Sequence, residues 1–154
     1  MPHSSSFIFK GLSEAQLQRL TSAVKERQIP KNQWLFHEGS SADRIYILKT
    51  GAVEMLTKVN GEYELPINII RSKDECFGTS ALVPPHEYSL SARCAEDATI
   101  LEIKREDLEK ITAEDSAMGC IIMKNLAKNL LDRLKETREE VKIHFKTLFR
   151  SMHT

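Results

Sequence analysis

The 154-residue sequence has no excess of either charge and no long apolar run. Lysine and arginine total 22, aspartate and glutamate also total 22, and the net charge is +0. This balance argues against a surface that binds nucleic acid or anionic membranes through net charge. No apolar segment approaches the roughly 20 residues of a membrane helix, and residues 1–6 lack the pattern of a signal peptide. We expect a cytoplasmic protein that makes no contact with membranes.

Cysteine is also scarce, and the three cysteines lie far apart in the sequence: Cys76, Cys94 and Cys120. Zinc and iron–sulfur sites need clustered thiolates, so these residues are predicted to be reduced core thiols. His37 and His86 are likewise far apart, whereas metal ligands must face one cavity. No spacing matches a catalytic triad or a nucleotide-binding glycine motif. We therefore expect no metal site, no catalytic residues and no required cofactor.

The length suits a single domain, residues 1–154, with a core of its own. Its first part, residues 1–30, is predicted to be helical, because Ser13 and Gln16 match a capping box. Apolar residues follow at helical spacing: Leu17, Leu20 and Val24. Proline lacks a backbone N–H, so Pro30 is predicted to end this helical segment.

Residues 31–103 have the pattern of many short strands. The predicted strands are 34–36, 44–48, 53–57, 65–70, 88–94 and 99–103. Several alternate in polarity, as half-buried strands do, and Asn60-Gly61 is typical of a hairpin turn. Short strands separated by turns predict a jelly roll, also called a double-stranded β-helix. The fold class is therefore mainly β with flanking helices.

Residues 104–154 are predicted to be helical again. A short helix is expected at 106–111, and residues 112–115 resemble a capping box that opens a long helix to about Arg150. At about 1.5 Å per residue, such a helix is longer than a small barrel, so its far half needs another partner. We predict a homodimer through this helix rather than packing on its own barrel alone. The predicted interface residues follow alternating steps of three and four, with His144 completing the register between the last two: Leu130, Leu134, Thr137, Val141 and Leu148.

Four segments of the β region together resemble the cyclic-nucleotide-binding domain. They are Phe36-His37-Glu38-Gly39, residues 42–51, residues 77–82 and residues 88–92. The long helix resembles the dimer helix of bacterial sensor domains of the catabolite-activator and fumarate–nitrate-regulator type. In those proteins a DNA-binding helix-turn-helix follows, whereas this sequence ends at Thr154. We therefore expect no DNA binding by this chain alone.

The resemblance places the family's phosphate-binding cassette at residues 77–92. It implies ligand-binding roles for Phe77, Gly78, Thr79, Ser80, Ala81, Tyr88, Ser89 and, on the long helix, Thr137. The family pattern is Phe-Gly-Glu-x-x-Leu, followed by Arg-(Ser/Thr)-Ala-(Ser/Thr). Here Thr79 stands where the ribose-binding Glu belongs, and Tyr88 stands where the phosphate-binding Arg belongs. Backbone N–H groups of a short helix after Gly78 still favour an anion.

These two replacements remove the strongest expected ligand contacts. A charge-assisted hydrogen bond is worth roughly 1.5–3 kcal/mol, so losing both weakens binding by roughly 3–5 kcal/mol, or about 140- to 4,000-fold. Arg93 is the nearest other cation, but it is predicted on the opposite face of an ideal strand. Cyclic nucleotide is therefore a doubtful ligand.

The sequence as a whole predicts a regulatory module that is not an enzyme. It is expected to sense a non-standard small molecule or to act as a ligand-free interaction partner. Three alternatives stay open: a genuine receptor for cyclic AMP or cyclic GMP, a small jelly-roll enzyme, and a transcription regulator separated from its DNA-binding part.

Overall fold

A computed structural model describes residues 1–153 of the chain. Within these residues, eight strands form two four-stranded antiparallel sheets. The strands are β1 (Val24–Ile29), β2 (Trp34–Phe36), β3 (Arg44–Thr50), β4 (Val53–Val59), β5 (Tyr63–Ile70), β6 (Cys76–Phe77), β7 (Ser91–Cys94) and β8 (Ala98–Lys104). The strand orders are β1-β8-β3-β6 and β2-β7-β4-β5. This arrangement confirms the predicted jelly roll.

Three α-helices flank the sheets: α1 (Glu14–Thr21), α2 (Arg105–Glu114) and α3 (Ser116–Met152). Short 3₁₀ helices occur at Phe7–Phe9 and Thr79–Leu82. Among the described residues, no helix combines the length and the apolar character that crossing a membrane requires.

The core lies on both faces of the sheet formed by β1, β8, β3 and β6. Tyr46 faces the second sheet, since its ring stacks on Phe36 of β2. Side chains alternate along a strand, so Ile45 and Ile47 point to the opposite face. Both are at most 1% exposed and belong to one cluster with apolar residues of the helical elements. The helices therefore cover the outer face of this sheet.

The amino-terminal segment is helical over a shorter range than predicted. The capping box is confirmed, because the Gln16 N–H donates to Ser13 Oγ and the Ser13 N–H donates to Gln16 Oε1. However, α1 ends at Thr21, and Val24–Ile29 is a strand rather than a helix. The helical prediction was wrong there because β1 pairs with β8 along its whole length. Pairing in the sheet outweighs local spacing.

Two further predicted boundaries were wrong. The strand predicted at 88–94 begins only at Ser91, because the backbone at Tyr88 pairs with the β2–β3 connection, at Gly39 and Ser40. The capping box predicted at 112–115 does not form. Instead, Thr112 lies inside α2 and its hydroxyl donates to Leu108, while the Asp115 carboxylate alone accepts from the Met118 N–H.

The long helix α3 packs on the roll through only its first part. Its buried residues are Met118, Ile122 and Leu126, whereas every residue from 134 to 152 is exposed. The predicted interface residues are exposed as well, with Leu134 at 44% and Leu148 at 59%. The 37 residues of α3 span about 55 Å at about 1.5 Å per residue. The far half of the helix therefore extends beyond the roll.

Candidate functional site

The second residue of the cassette is Gly78, a position where a side chain would be strained and crowded. Gly78 follows β6 and has a φ of 73°, in the left-handed region. A Cβ at this position would lie 3.1 Å from Tyr46 Cδ2 and 3.4 Å from Tyr88 Cε1. The chain then forms the four-residue 3₁₀ helix that begins at Thr79. The structure thus places Gly78 beside Tyr88, and both are predicted site residues.

Tyr88 points into the protein rather than toward solvent. Its side chain is buried, at 3% exposure, and its ring stacks on Phe36 with centroids 3.8 Å apart and planes 13° apart. Its hydroxyl donates to the Arg44 carbonyl oxygen at 2.7 Å. Burial raises the pKa of the Tyr88 phenol, which therefore remains neutral at physiological pH. A neutral, buried ring stands where the family has a cationic side chain.

Four aromatic rings form a cluster beside the cassette: Phe36, Tyr46, Phe77 and Tyr88. The Tyr46 and Phe77 rings are stacked with centroids 5.3 Å apart, and Phe36 stacks on Tyr46 at 5.6 Å. All four side chains are buried. Sequence reasoning missed this cluster, although all four of its members lie in predicted strands or in the cassette. The cluster fills the space between the two sheets at this end of the roll.

Arg44 connects Tyr88 to a buried carboxylate. The Arg44 carbonyl accepts from Tyr88, and Arg44 Nη1 lies 3.1 Å from Glu102 Oε2. Glu102 is 5% exposed and also forms an ion pair with Arg27. Two arginines therefore pair with one buried carboxylate. This pairing offsets the cost of burying its charge. Arg44 holds the backbone that anchors the Tyr88 hydroxyl.

The other predicted cassette residues occupy several environments. Ala81 is fully buried, Thr79 and Ser80 are half-buried, and Ser89 is exposed. Arg93, the alternative cation, donates to Glu54 Oε2 at 2.9 Å, and its guanidinium lies 5.0 Å from the Trp34 ring. Its charge is therefore already paired.

On α3, the residue that reaches the cassette strand is Arg133. Its Nη2 lies 3.9 Å from Oε1 of Glu75, which directly precedes β6. The hydroxyl of Thr137, the predicted ligand residue, is exposed and donates to the Arg133 carbonyl at 2.9 Å, within its own helix. Sequence reasoning missed Arg133, although it lies seven residues, or about two helical turns, after the buried Leu126 and so shares its face of α3.

Comparison with known proteins identifies the family. A family model described as cyclic nucleotide-binding domain matches residues 26–115, which is more than half of the chain. The chain belongs to this family. Membership confirms the resemblance that the segments between Phe36 and Ala92 indicated.

Relatives of this cyclic nucleotide-binding domain include bacterial regulators. The chain is 27% identical over 129 residues to the anaerobic regulatory protein of Bacillus subtilis, covering 84% of this chain and 52% of the relative. It is 26% identical over 134 residues to the cyclic AMP receptor protein of Thermus thermophilus, covering 87% of this chain and 60% of the relative. The chain thus spans between half and two thirds of the length of these relatives.

A solved structure supports the same relationship. The crystal structure of the Thermus thermophilus catabolite activator protein matches with a TM-score of 0.74 and 26% identity. The match covers 90% of this chain and 62% of that protein. The domain described here is therefore a cyclic nucleotide-binding domain similar in sequence and fold to those of these bacterial proteins.

Proposed function

We propose that this domain regulates through protein assembly and without cyclic nucleotide, because its own Tyr88 fills the space beside the cassette. The stacking of Tyr88 on Phe36 at 3.8 Å is the observation that carries the proposal. A ligand would have to displace this ring into water, which costs roughly 1.5–3 kcal/mol for a large apolar side chain. It would also leave the Arg44 carbonyl without its partner, at a further cost of roughly 1–3 kcal/mol.

The charges of the site support the same proposal. A cyclic phosphate would meet the neutral Tyr88 hydroxyl in place of a guanidinium, and the nearby Arg93 is paired with Glu54. Thr79 offers a hydroxyl in place of a carboxylate at the ribose position. The affinity for cyclic nucleotide is therefore lowered both by missing contacts and by the buried ring.

We propose that the domain acts by forming a two-fold homodimer through α3. Exposed apolar residues recur at helical spacing along α3, from just before the Arg133 contact with Glu75 toward the far end of the helix: Leu130, Leu134, Val141 and Leu148. A contiguous exposed apolar surface commonly marks an interaction site. In a two-fold dimer, each helix presents the same residues to its twin.

The decisive experiment is a calorimetric titration of the protein with cyclic AMP and cyclic GMP. The wild type should show no measurable binding. The double variant Thr79→Glu plus Tyr88→Arg should gain affinity, because it restores the carboxylate and the guanidinium and removes the ring from the aromatic cluster. A wild-type dissociation constant in the low micromolar range would disprove the proposal.

A second candidate function is a genuine cyclic AMP receptor. It is favoured by the similarity to the cyclic AMP receptor protein of Thermus thermophilus. Such a receptor would require Tyr88 to rotate away from Phe36 when the ligand enters. The same titration separates the two candidates, and the near-ultraviolet circular dichroism of Tyr88 would change on binding only in a receptor.

A further inference from the structure

An apolar groove lies between α2 and α3, away from the aromatic cluster. It has a volume of about 350 Å³. Its walls come from Leu108 and Thr112 of α2, from Gly119, Ile122 and Met123 of α3, and from Leu82 of the cassette. The groove therefore touches the cassette and both carboxy-terminal helices at once.

The two helices touch closely at one end of this groove. A Cβ added to Gly119 would lie 3.3 Å from the Cβ of Thr112 and 3.7 Å from its Cγ2. The glycine thus lets α3 approach α2 directly. Thr112 has its hydroxyl bonded to the Leu108 carbonyl, so it presents its methyl group to the groove.

A cation lies at the rim of this apolar groove. Arg105 Nη1 donates to the Ala42 carbonyl at 3.1 Å, and its Nε lies 3.5 Å from Glu109 Oε1. The Arg105 side chain is 24% exposed, whereas that of Glu109 is 63% exposed. An ion pair this long with an exposed carboxylate is weak. A better placed carboxylate can therefore replace Glu109, since guanidinium groups bind carboxylates through two parallel hydrogen bonds.

We propose that this groove binds a small carboxylic acid with an apolar body, whose carboxylate pairs with Arg105. Charge complementarity sets the head group, and the apolar walls set the body. An apolar protein cavity of about 150 Å³ is known to hold benzene, and ligand pockets begin at about 300 Å³. The groove therefore has room for an acyl chain of about ten carbons. Because Leu82, α2 and α3 all line it, occupancy acts on the base of the dimer helix without using the cassette interior.

The test is a titration of the full chain with decanoate, kept below its micelle-forming concentration, by calorimetry and by ¹H–¹⁵N spectra. Decanoate should bind saturably and shift the amide signals of Leu82 and Gly119. Arg105→Gln should weaken decanoate by about tenfold or more, the loss of one charge-assisted bond. It should leave the binding of decanol unchanged. Arg71→Gln, which removes an exposed arginine paired with Glu96, is the matched control and should bind decanoate like the wild type.

A second variant fills the groove. Ala113 lines it and is exposed, so Ala113→Trp should abolish decanoate binding without lowering the melting temperature. The proposal is overturned if decanoate does not bind saturably, or if Arg105→Gln and Ala113→Trp both bind it like the wild type. It is also overturned if Ala113→Trp breaks the dimer and the wild type does not bind decanoate, because the groove is then occupied by a second copy of the chain. None of these results depends on whether cyclic nucleotide binds.

Discussion

The Tyr88 hydroxyl donates a hydrogen bond of 2.7 Å to the carbonyl oxygen of Arg44, which links a cassette residue to the first residue of β3. The bond fixes the Tyr88 ring against Phe36 and leaves its polar atom satisfied inside the protein. A buried hydroxyl without a partner would be costly. The hydrogen bond therefore helps to hold Tyr88 in its buried position beside the cassette.

Removing this hydroxyl should destabilise the domain while keeping the ring. Tyr88→Phe leaves the Arg44 carbonyl without its donor, so the free energy of unfolding should fall by about 1–2 kcal/mol. Urea denaturation measures the change. Tyr63→Phe is the control, because Tyr63 is 75% exposed, and its unfolding midpoint should not move. Equal stability of Tyr88→Phe and the wild type would contradict the role given to the bond.

The crowding around Gly78 can be measured with a matched pair of glycines. Gly78 and Gly61 have nearly equal φ values of 73° and 75°, but no atom lies within 4 Å of a Cβ built at Gly61. Either alanine variant should lose about 1–2 kcal/mol from left-handed strain. Gly78→Ala should lose about 1 kcal/mol more, because its methyl group presses on Tyr46. Thermal melts of both variants measure the two losses of stability. Equal losses would show that the Tyr46 ring moves aside at no cost.

Glu75 should make stability depend on pH in a defined direction. Burial raises its pKa above the ordinary 4.5, against the opposing effect of Arg133. A raised carboxyl pKa means that the folded state favours the protonated form. The stability contribution is therefore fully present below the unfolded pKa and is lost as the pH rises through the folded pKa.

Replacing this carboxyl by a neutral amide should remove that loss. Glu75→Gln should unfold at higher urea than the wild type at pH 7, and the difference should shrink toward pH 4. Glu62→Gln, at an exposed position, is the control and should show no such trend. A Glu75→Gln variant that is less stable at pH 7 would mean that the ion pair with Arg133 outweighs the desolvation.

A charge at the proposed helix interface should disrupt the dimer. Leu134→Glu buries an unpaired carboxylate in both copies, which is costly, so light scattering should report monomer or the protein should fail to fold. Lys135→Glu changes the neighbouring residue, which lies off the apolar stripe, and should leave the dimer intact. A wild-type monomer at high concentration, or a stable Leu134→Glu dimer, would refute the interface.

The sequence predicted those elements whose signal is local. The strand at Trp34–Phe36 and the turn at Asn60-Gly61 were predicted from residue type alone, and both are present. The segment Val24–Ile29 was not, because its strand depends on pairing with β8, far along the chain. Local spacing in that segment fits a helix equally well.

For the site, the sequence predicted which residues depart from the family but not where they point. The identity of Tyr88 indicated a lost cation. Its stacking on Phe36 depends on the pairing of the segment before β7 with the β2–β3 connection, which lies far away in the sequence and which no local pattern encodes. The same holds for Arg133, whose contact with Glu75 follows from how α3 lies on the roll.

The geometry of the long helix would let it act as a lever. Its last buried residue is Leu126, and Leu148 lies about 33 Å further along at about 1.5 Å per residue. A tilt of about 5° at Leu126 would carry Leu148 sideways by about 3 Å, more than half the 5.4 Å pitch of a helix. In the proposed dimer, a sub-ångström adjustment at the base of α3, where Gly119 lies against Thr112, would thereby be magnified into a displacement that separates or realigns two apolar side chains at the far tip.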